Sequence, residues 1–174
     1  MTMVTNHYCF TDPYNTKRKR TAQNTEASEF NCAGYAFGTM SWYCPYDLSD
    51  QSEYYRLNES GDLDAVEEIA IRHILDEIKG IILVDENIVR NRAFNQRKYA
   101  AVVFRYEAEA TEGLGFSDFH VVRLSTNGKW YHKMGGSPGI HLMEEEEVFD
   151  DYGWENEFYH YNRKPFYFLV PRRG

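Results

Sequence analysis

The stretch DFHVVRLSTNGKWYHKMG, residues 118–135, decides how this chain folds. DFHVVRL (118–124) and KWYHKMG (129–135) carry the β-branched and aromatic residues that suit a pleated surface. Between them lies STNG, and its Asn127-Gly128 pair tolerates the positive φ that tight hairpin turns need. The reading is a β-hairpin with one histidine on each strand, His120 and His132.

Whether the two imidazoles meet depends on the turn. A two-residue turn at Asn127-Gly128 sets His120 level with Gly135 and His132 level with Arg123, which puts the rings on opposite faces. A four-residue turn over 125–128 leaves the same parity. A bulge or a three-residue loop is needed to bring both rings to one face.

Outward from the hairpin, KYAAVVFRYEAEA (98–110) reads as a strand and EGLGFS (112–117) as a loop. FYFLVP (166–171) reads as a closing strand ending at Pro171. LDAVEEIAIRHILDEIKG (63–80) is the clearest helix. Its apolar positions Leu63, Val66, Ile69, Ala70, Ile74, Leu75 and Ile78 follow helical spacing, Asp62 or Asp64 caps it, and Gly80 stops it. IILV (81–84) is a short buried strand or an extension of that helix, and residues 46–61 are a polar connection. Residues 30–43 predict an earlier helix, despite Gly34 and Gly38, that Pro45 ends. The order is two helices followed by three or four mostly antiparallel strands, an α+β class. Residues 1–27 read as a polar arm and 28–174 as one domain.

The net charge of −8 argues against a general nucleic-acid binder, which needs a basic surface to displace counterions. The one basic run, residues 17–20, lies in the arm and reads as solvated, as does the acidic run over 144–147. Fourteen tyrosines point to a sheet-rich body. Cys9, Cys32 and Cys44 make an odd count without a CxxC pair, so neither a disulfide framework nor a structural zinc site is expected. No apolar run of signal or membrane-spanning length occurs, and the expectation is a reducing cytoplasm with no cofactor.

NCAGYAFG (31–38) holds the one cysteine with a chemical setting. Asn31 is a good N-cap, which puts Cys32 in the first turn, where unpaired backbone N–H groups favour a thiolate. A free cysteine is also a common core residue, and the residues alone leave both readings open. Joining Cys32, His120 and His132 as metal ligands matches no common spacing. Asp118, two residues before His120, shares its face on a strand and is a candidate to orient its ring. His7, His73, His141 and His160 fall in boundary, polar or loop contexts.

NCAGYAFG resembles the D-C-S-G-[FLY]-[VA] stretch that opens the catalytic helix of NlpC-type papain-like cysteine peptidases. HVVRLSTNGKWYHKMGG (120–136) resembles that family's H-V-G-[IV]-Y-L-G-N-G-…-[IFM]-H-A block. The two motifs stand in family order and together cover about a third of the chain. DFH followed by W-x-H-K-x-G is also similar to small phage proteins of the same papain-like type. Asn31 stands where the family has aspartate and Ala33 where it has serine, and 88 residues separate Cys32 from His120, a longer interval than the family's.

The resemblance implies a papain-like α+β fold and a cysteine hydrolase acting on an amide or peptide bond. Cys32 would be the nucleophile, His120 the general base and His132 the residue orienting it, with Asp118 as the alternative. The oxyanion hole would use the Cys32 backbone N–H, with Asn31, Asn24 or Gln23 as second donor. The substrate would be a peptide or protein; from the residues themselves, Lys133 and the glycines at 135–136 are candidates to line a substrate groove, with GGSPG equally readable as a plain loop. The alternative is an acidic protein that keeps this fold without turnover and binds a protein partner through its charged, tyrosine-rich surface.

Overall fold

A computed structural model describes residues 30–39, 43–45, 51–107, 118–134, 139–155 and 160–172. The expected arm with Cys9, Gln23, Asn24 and the basic run, the 112–117 loop and the glycines at 135–136 lie outside these residues.

Three helices come first: α1 (Cys32–Phe37), α2 (Gln51–Ser60) and α3 (Leu63–Glu77). β1 (Ile82–Val84), α4 (Glu86–Arg90), β2 (Tyr99–Tyr106), β3 (Phe119–Leu124), β4 (Trp130–His132) and β5 (His141–Met143) follow. The chain continues through α5 (Glu145–Val148), β6 (Trp154–Glu155) and β7 (His160–Tyr161) to β8 (Phe166–Pro171). The class is α+β: six strands form an antiparallel sheet in the order β1-β8-β2-β3-β4-β5, and β6 and β7 form a separate two-stranded ribbon.

The main sheet is covered on both faces. On one face Val102, Phe104, Tyr106, Val121, Phe168 and Val170 pack against Cys32, Ala36 and Phe37 of α1 and Val66, Ile69, Ala70 and Ile74 of α3. On the other, Val103, Val122, Leu124, Trp130 and Leu169 pack against Val89, Val148, Phe149, Trp154 and Tyr161. Burial on both faces is why β2 and β8 read as continuous apolar runs with no alternation. Alternation along β3 sends Phe119 and Val121 toward the helices and Val122 and Leu124 toward the ribbon.

Asp62 caps α3 by accepting from the Ala65 N–H, as its spacing predicts, and Leu63, Val66, Ile69, Ala70 and Ile74 are buried. Leu75 is not part of that core and stands exposed. Other expectations need correction. Residues 46–61 are not a plain connection, because they include α2. Its sequence is too polar for a clear apolar stripe, and the helix is held by Tyr54, whose hydroxyl shares a 2.7 Å hydrogen bond with that of Tyr106 on β2. IILV does hold a strand, but an edge one rather than a buried one: β1 pairs with β8, Ile81 and Val84 are partly buried, and Ile82 and Leu83 are 42% and 43% exposed. The first helix stops at Phe37, well before Pro45, because Gly38 adopts φ 73° and its N–H turns back to the Tyr35 carbonyl. The acidic run is solvated as expected, yet its residues 145–147, together with buried Val148, form α5. Among the described residues, no helix is long and apolar enough to cross a membrane.

Candidate functional site

The site starts at the hairpin turn. Ser125 donates its N–H to the Lys129 carbonyl at 2.8 Å, and Gly128 donates back to Ser125 at 3.0 Å. That leaves a three-residue loop, 126–128, closed by Gly128 at φ 82°. Asn127 stiffens it by accepting from the Lys129 N–H at 3.0 Å and donating to the Tyr131 hydroxyl at 3.0 Å. Arg123 therefore pairs with Tyr131 and Leu124 with Trp130. Extending this register puts His120, Val122 and His132 on one face. The Nε2 atom of His120 and the Nδ1 atom of His132 are 2.8 Å apart, with the ring planes at 81°.

Both imidazoles are buried, His120 1% and His132 6% exposed. Burial pushes the pKa of His120 well below its ordinary value, and the neighbouring His132 adds to this. Burial lowers that of His132 to about 4, with His141 contributing. The pair is therefore neutral at pH 7, one ring donating an N–H and the other accepting. The ring of His120 is enclosed by aromatics of the ribbon: Tyr161 stacks on it at 5.1 Å and 21°, and the edge of Trp154 meets it at 5.9 Å and 89°.

Asp118 precedes β3, and its carboxylate accepts from the Tyr161 hydroxyl at 3.1 Å. Burial raises its pKa, while the Phe119 backbone and Tyr161 hydrogen bonds lower it. Asp118 thus reaches the tyrosine that lies over His120, whereas His132 bonds the His120 ring itself.

Cys32 occupies the first position of α1, 4% exposed. Asn31 caps the helix: its Oδ1 accepts from the N–H of Gly34 at 2.8 Å and of Tyr43 at 3.2 Å, and its Nδ2 donates to the Tyr43 carbonyl at 2.8 Å. Both ends of that side chain are engaged in holding α1 to the segment after it, which does not aim its amide at an oxyanion. The helix rests on β3, where Arg123 donates to the Ala36 carbonyl at 2.8 Å. The thiol lies against the same strand. Burial, then the charge of Asp118, push its pKa up to about 12, against hydrogen bonds from the backbone of Val121 and Ala33 and the charge of Lys133. Val121 directly follows His120, and successive strand residues face opposite sides, so the sulfur meets β3 on the helix side while the His120 imidazole faces the ribbon.

Lys133 does not line a groove. It is fully buried with its ammonium 5.1 Å from the Phe30 ring, because it points to the α1 side of the sheet. His73 pairs with Glu77 along α3 and stacks on Tyr43, and His160 pairs with Glu155 across the ribbon. His141 is not in a loop: it lies on β5 opposite His132, the ring centroids 6.2 Å apart. Sequence reasoning missed His141, Trp154 and Tyr161 as neighbours of the histidine pair. Their strands are two or three residues long, too short for periodicity to register. Among the described residues, no group of three or more histidine, cysteine, aspartate or glutamate side chains is placed to hold a metal ion.

Comparison of the chain with protein-family models, with curated proteins and with solved structures gave no match.

Proposed function

We propose that the protein is a papain-like cysteine hydrolase of the NlpC type that cleaves an amide bond of a peptide or protein through an acyl-enzyme on Cys32. The observation that carries this reading is the His120–His132 hydrogen bond, 2.8 Å, on the hairpin against which the Cys32 helix rests. Burial keeps the His120 imidazole neutral, and a neutral imidazole is the form that accepts a proton.

The resting thiol is protonated, since burial holds it near 12. Attack is therefore coupled to deprotonation. On this reading the thiol and the imidazole meet around the start of β3, where the charge of Asp118 acts on the thiol, and the Cys32 sulfur bonds to the substrate carbonyl carbon while its proton passes to the His120 ring. The imidazolium donates through Nε2 to Nδ1 of His132, which stabilises the charge. The Cys32 backbone N–H, at the start of α1, is one donor to the oxyanion. The proton on His120 then goes to the leaving amine as the C–N bond breaks. Water, deprotonated by the same base, releases the acid and regenerates the thiol.

The test is acylation by an activated ester, p-nitrophenyl acetate, followed by mass spectrometry of the intact protein and its peptides. The expected result is one acetyl group on Cys32, formed with a burst of p-nitrophenol and lost in His120→Ala. No adduct on Cys32, or an adduct formed equally fast in His120→Ala, overturns the proposal.

The burial of Cys32 favours a second reading, a protein that retains this fold without turnover and acts by binding a protein partner. On that reading Cys32→Ala leaves the biological effect intact, and on the first it abolishes it.

A further inference from the structure

The hydrogen bond to His132 fixes one direction in the plane of the His120 ring. A second constraint comes from the β6–β7 ribbon. Tyr161 lies over the imidazole at 5.1 Å with the planes 21° apart, and its hydroxyl reaches back to Asp118, two residues before His120. Strand, carboxylate, phenol and imidazole thus form a closed ring of contacts. The ribbon is itself held to the sheet. Buried Arg105, the register partner of His120 on β2, donates to the carbonyls of Arg163 at 3.0 Å and Asp150 at 2.9 Å. Its guanidinium lies 5.6 Å from the Trp154 ring, and Trp154 is the register partner of Tyr161.

We propose that Tyr161 is a positioning residue for His120: its ring sets the plane of the imidazole, and its hydroxyl, anchored on Asp118, sets the ring. This rests on the reading of His120 as general base. The phenol ring also presents its electron-rich face to the imidazolium that forms during attack, and donation to a carboxylate enriches that face further. Asp118 then acts on His120 through Tyr161.

The experiment compares wild type, Tyr161→Phe and Tyr161→Met by long-range 1H–15N NMR of the histidine side chains and by the rate of Cys32 acetylation with p-nitrophenyl acetate. Methionine fills the space without imposing a plane. Wild type and Tyr161→Phe are expected to hold His120 in one tautomer. Tyr161→Met is expected to show mixed tautomers and an acetylation rate lower by about tenfold or more, with the half-saturating ester concentration unchanged. Phenylalanine should restore most of that loss. A folded Tyr161→Met protein with a single His120 tautomer and the wild-type rate overturns the proposal. Should that variant not fold, Tyr161→Phe and Asp118→Asn decide. They alter two ends of one hydrogen bond, so each should shift the His120 15N resonances similarly and the double variant no further, whereas additive shifts overturn it. Absence of acetylation in wild type would remove the hydrolase reading, and the tautomer spectra would still judge Tyr161.

Discussion

Nε2 of His120 lies 2.8 Å from Nδ1 of His132, a contact between residues on adjacent strands that share a face because the connecting loop holds three residues. Parity, not proximity in sequence, brings these rings together. Deleting Thr126 would leave Asn127-Gly128 as a two-residue turn and reverse the parity of β4. The expected outcome is loss of the His120–His132 hydrogen bond, read as the disappearance of its 15N tautomer signature. A deletion variant that keeps the signature would mean that the register does not depend on the loop.

The same pair makes stability depend on pH. The folded pKa of His132 is about 4 and lies below its unfolded value near 6.5, so the unfolded chain binds the proton first as pH falls. The contribution is fully present above pH 6.5 and is lost between pH 6.5 and about 4, amounting to at most about 3 kcal/mol. Urea unfolding of wild type should weaken across that interval more than that of His132→Gln. Asp118 and Glu67, whose carboxyl pKa values burial raises, drive the opposite trend, but they are present in both proteins and cancel in the difference.

Cys32 predicts the converse at high pH. A thiol pushed up to about 12 in the folded state, from an ordinary 9, stabilises the fold below pH 9 and loses that contribution as pH rises toward 12. Wild type should lose more stability than Cys32→Ala in this interval. Iodoacetamide labelling of Cys32, followed by mass spectrometry, should climb with pH and show no plateau up to pH 9. A plateau below pH 8 would indicate a preformed thiolate–imidazolium pair.

Gly153 closes the ribbon. It adopts φ 98°, and a Cβ there would stand 2.5 Å from the Tyr161 carbonyl oxygen and 2.6 Å from the Asn162 Cα. Both contacts are with backbone, which cannot swing aside, and the positive φ is itself strained for alanine. Gly153→Ala should therefore cost more than about 1 kcal/mol by urea unfolding and disturb the His120 resonances through Tyr161. A change confined to stability would separate the ribbon from the histidine site.

Asn31 ties the start of the Cys32 helix to the segment that follows it. Asn31→Ala removes the cap and both bonds to Tyr43, with an expected loss of about 2 kcal/mol. Asn31→Asp keeps the acceptor for Gly34 and Tyr43 and should lose less. Thermal unfolding of the two variants checks the order.

What the residues decided by themselves is local. The Asn127-Gly128 pair and its flanking β-branched residues specify a hairpin, Asp62 and the 3.6-residue spacing specify α3, and Asn31 specifies the start of α1. Each follows from a preference that acts within a few residues, through φ, capping or a single apolar stripe. The tertiary structure decided the rest. A one-residue difference in loop length, invisible to composition, put His120 and His132 on one face. Tyr54 and Leu57 of the otherwise polar residues 51–60 enter the core shared by α3 and β2, and an edge position left Ile82 and Leu83 exposed. The setting of His120 is tertiary as well, because Tyr161 and Trp154 reach it from strands of two residues whose ribbon Arg105 ties to the sheet. Contacts of that kind join residues some forty positions apart, and their free energy appears only once the intervening chain has folded.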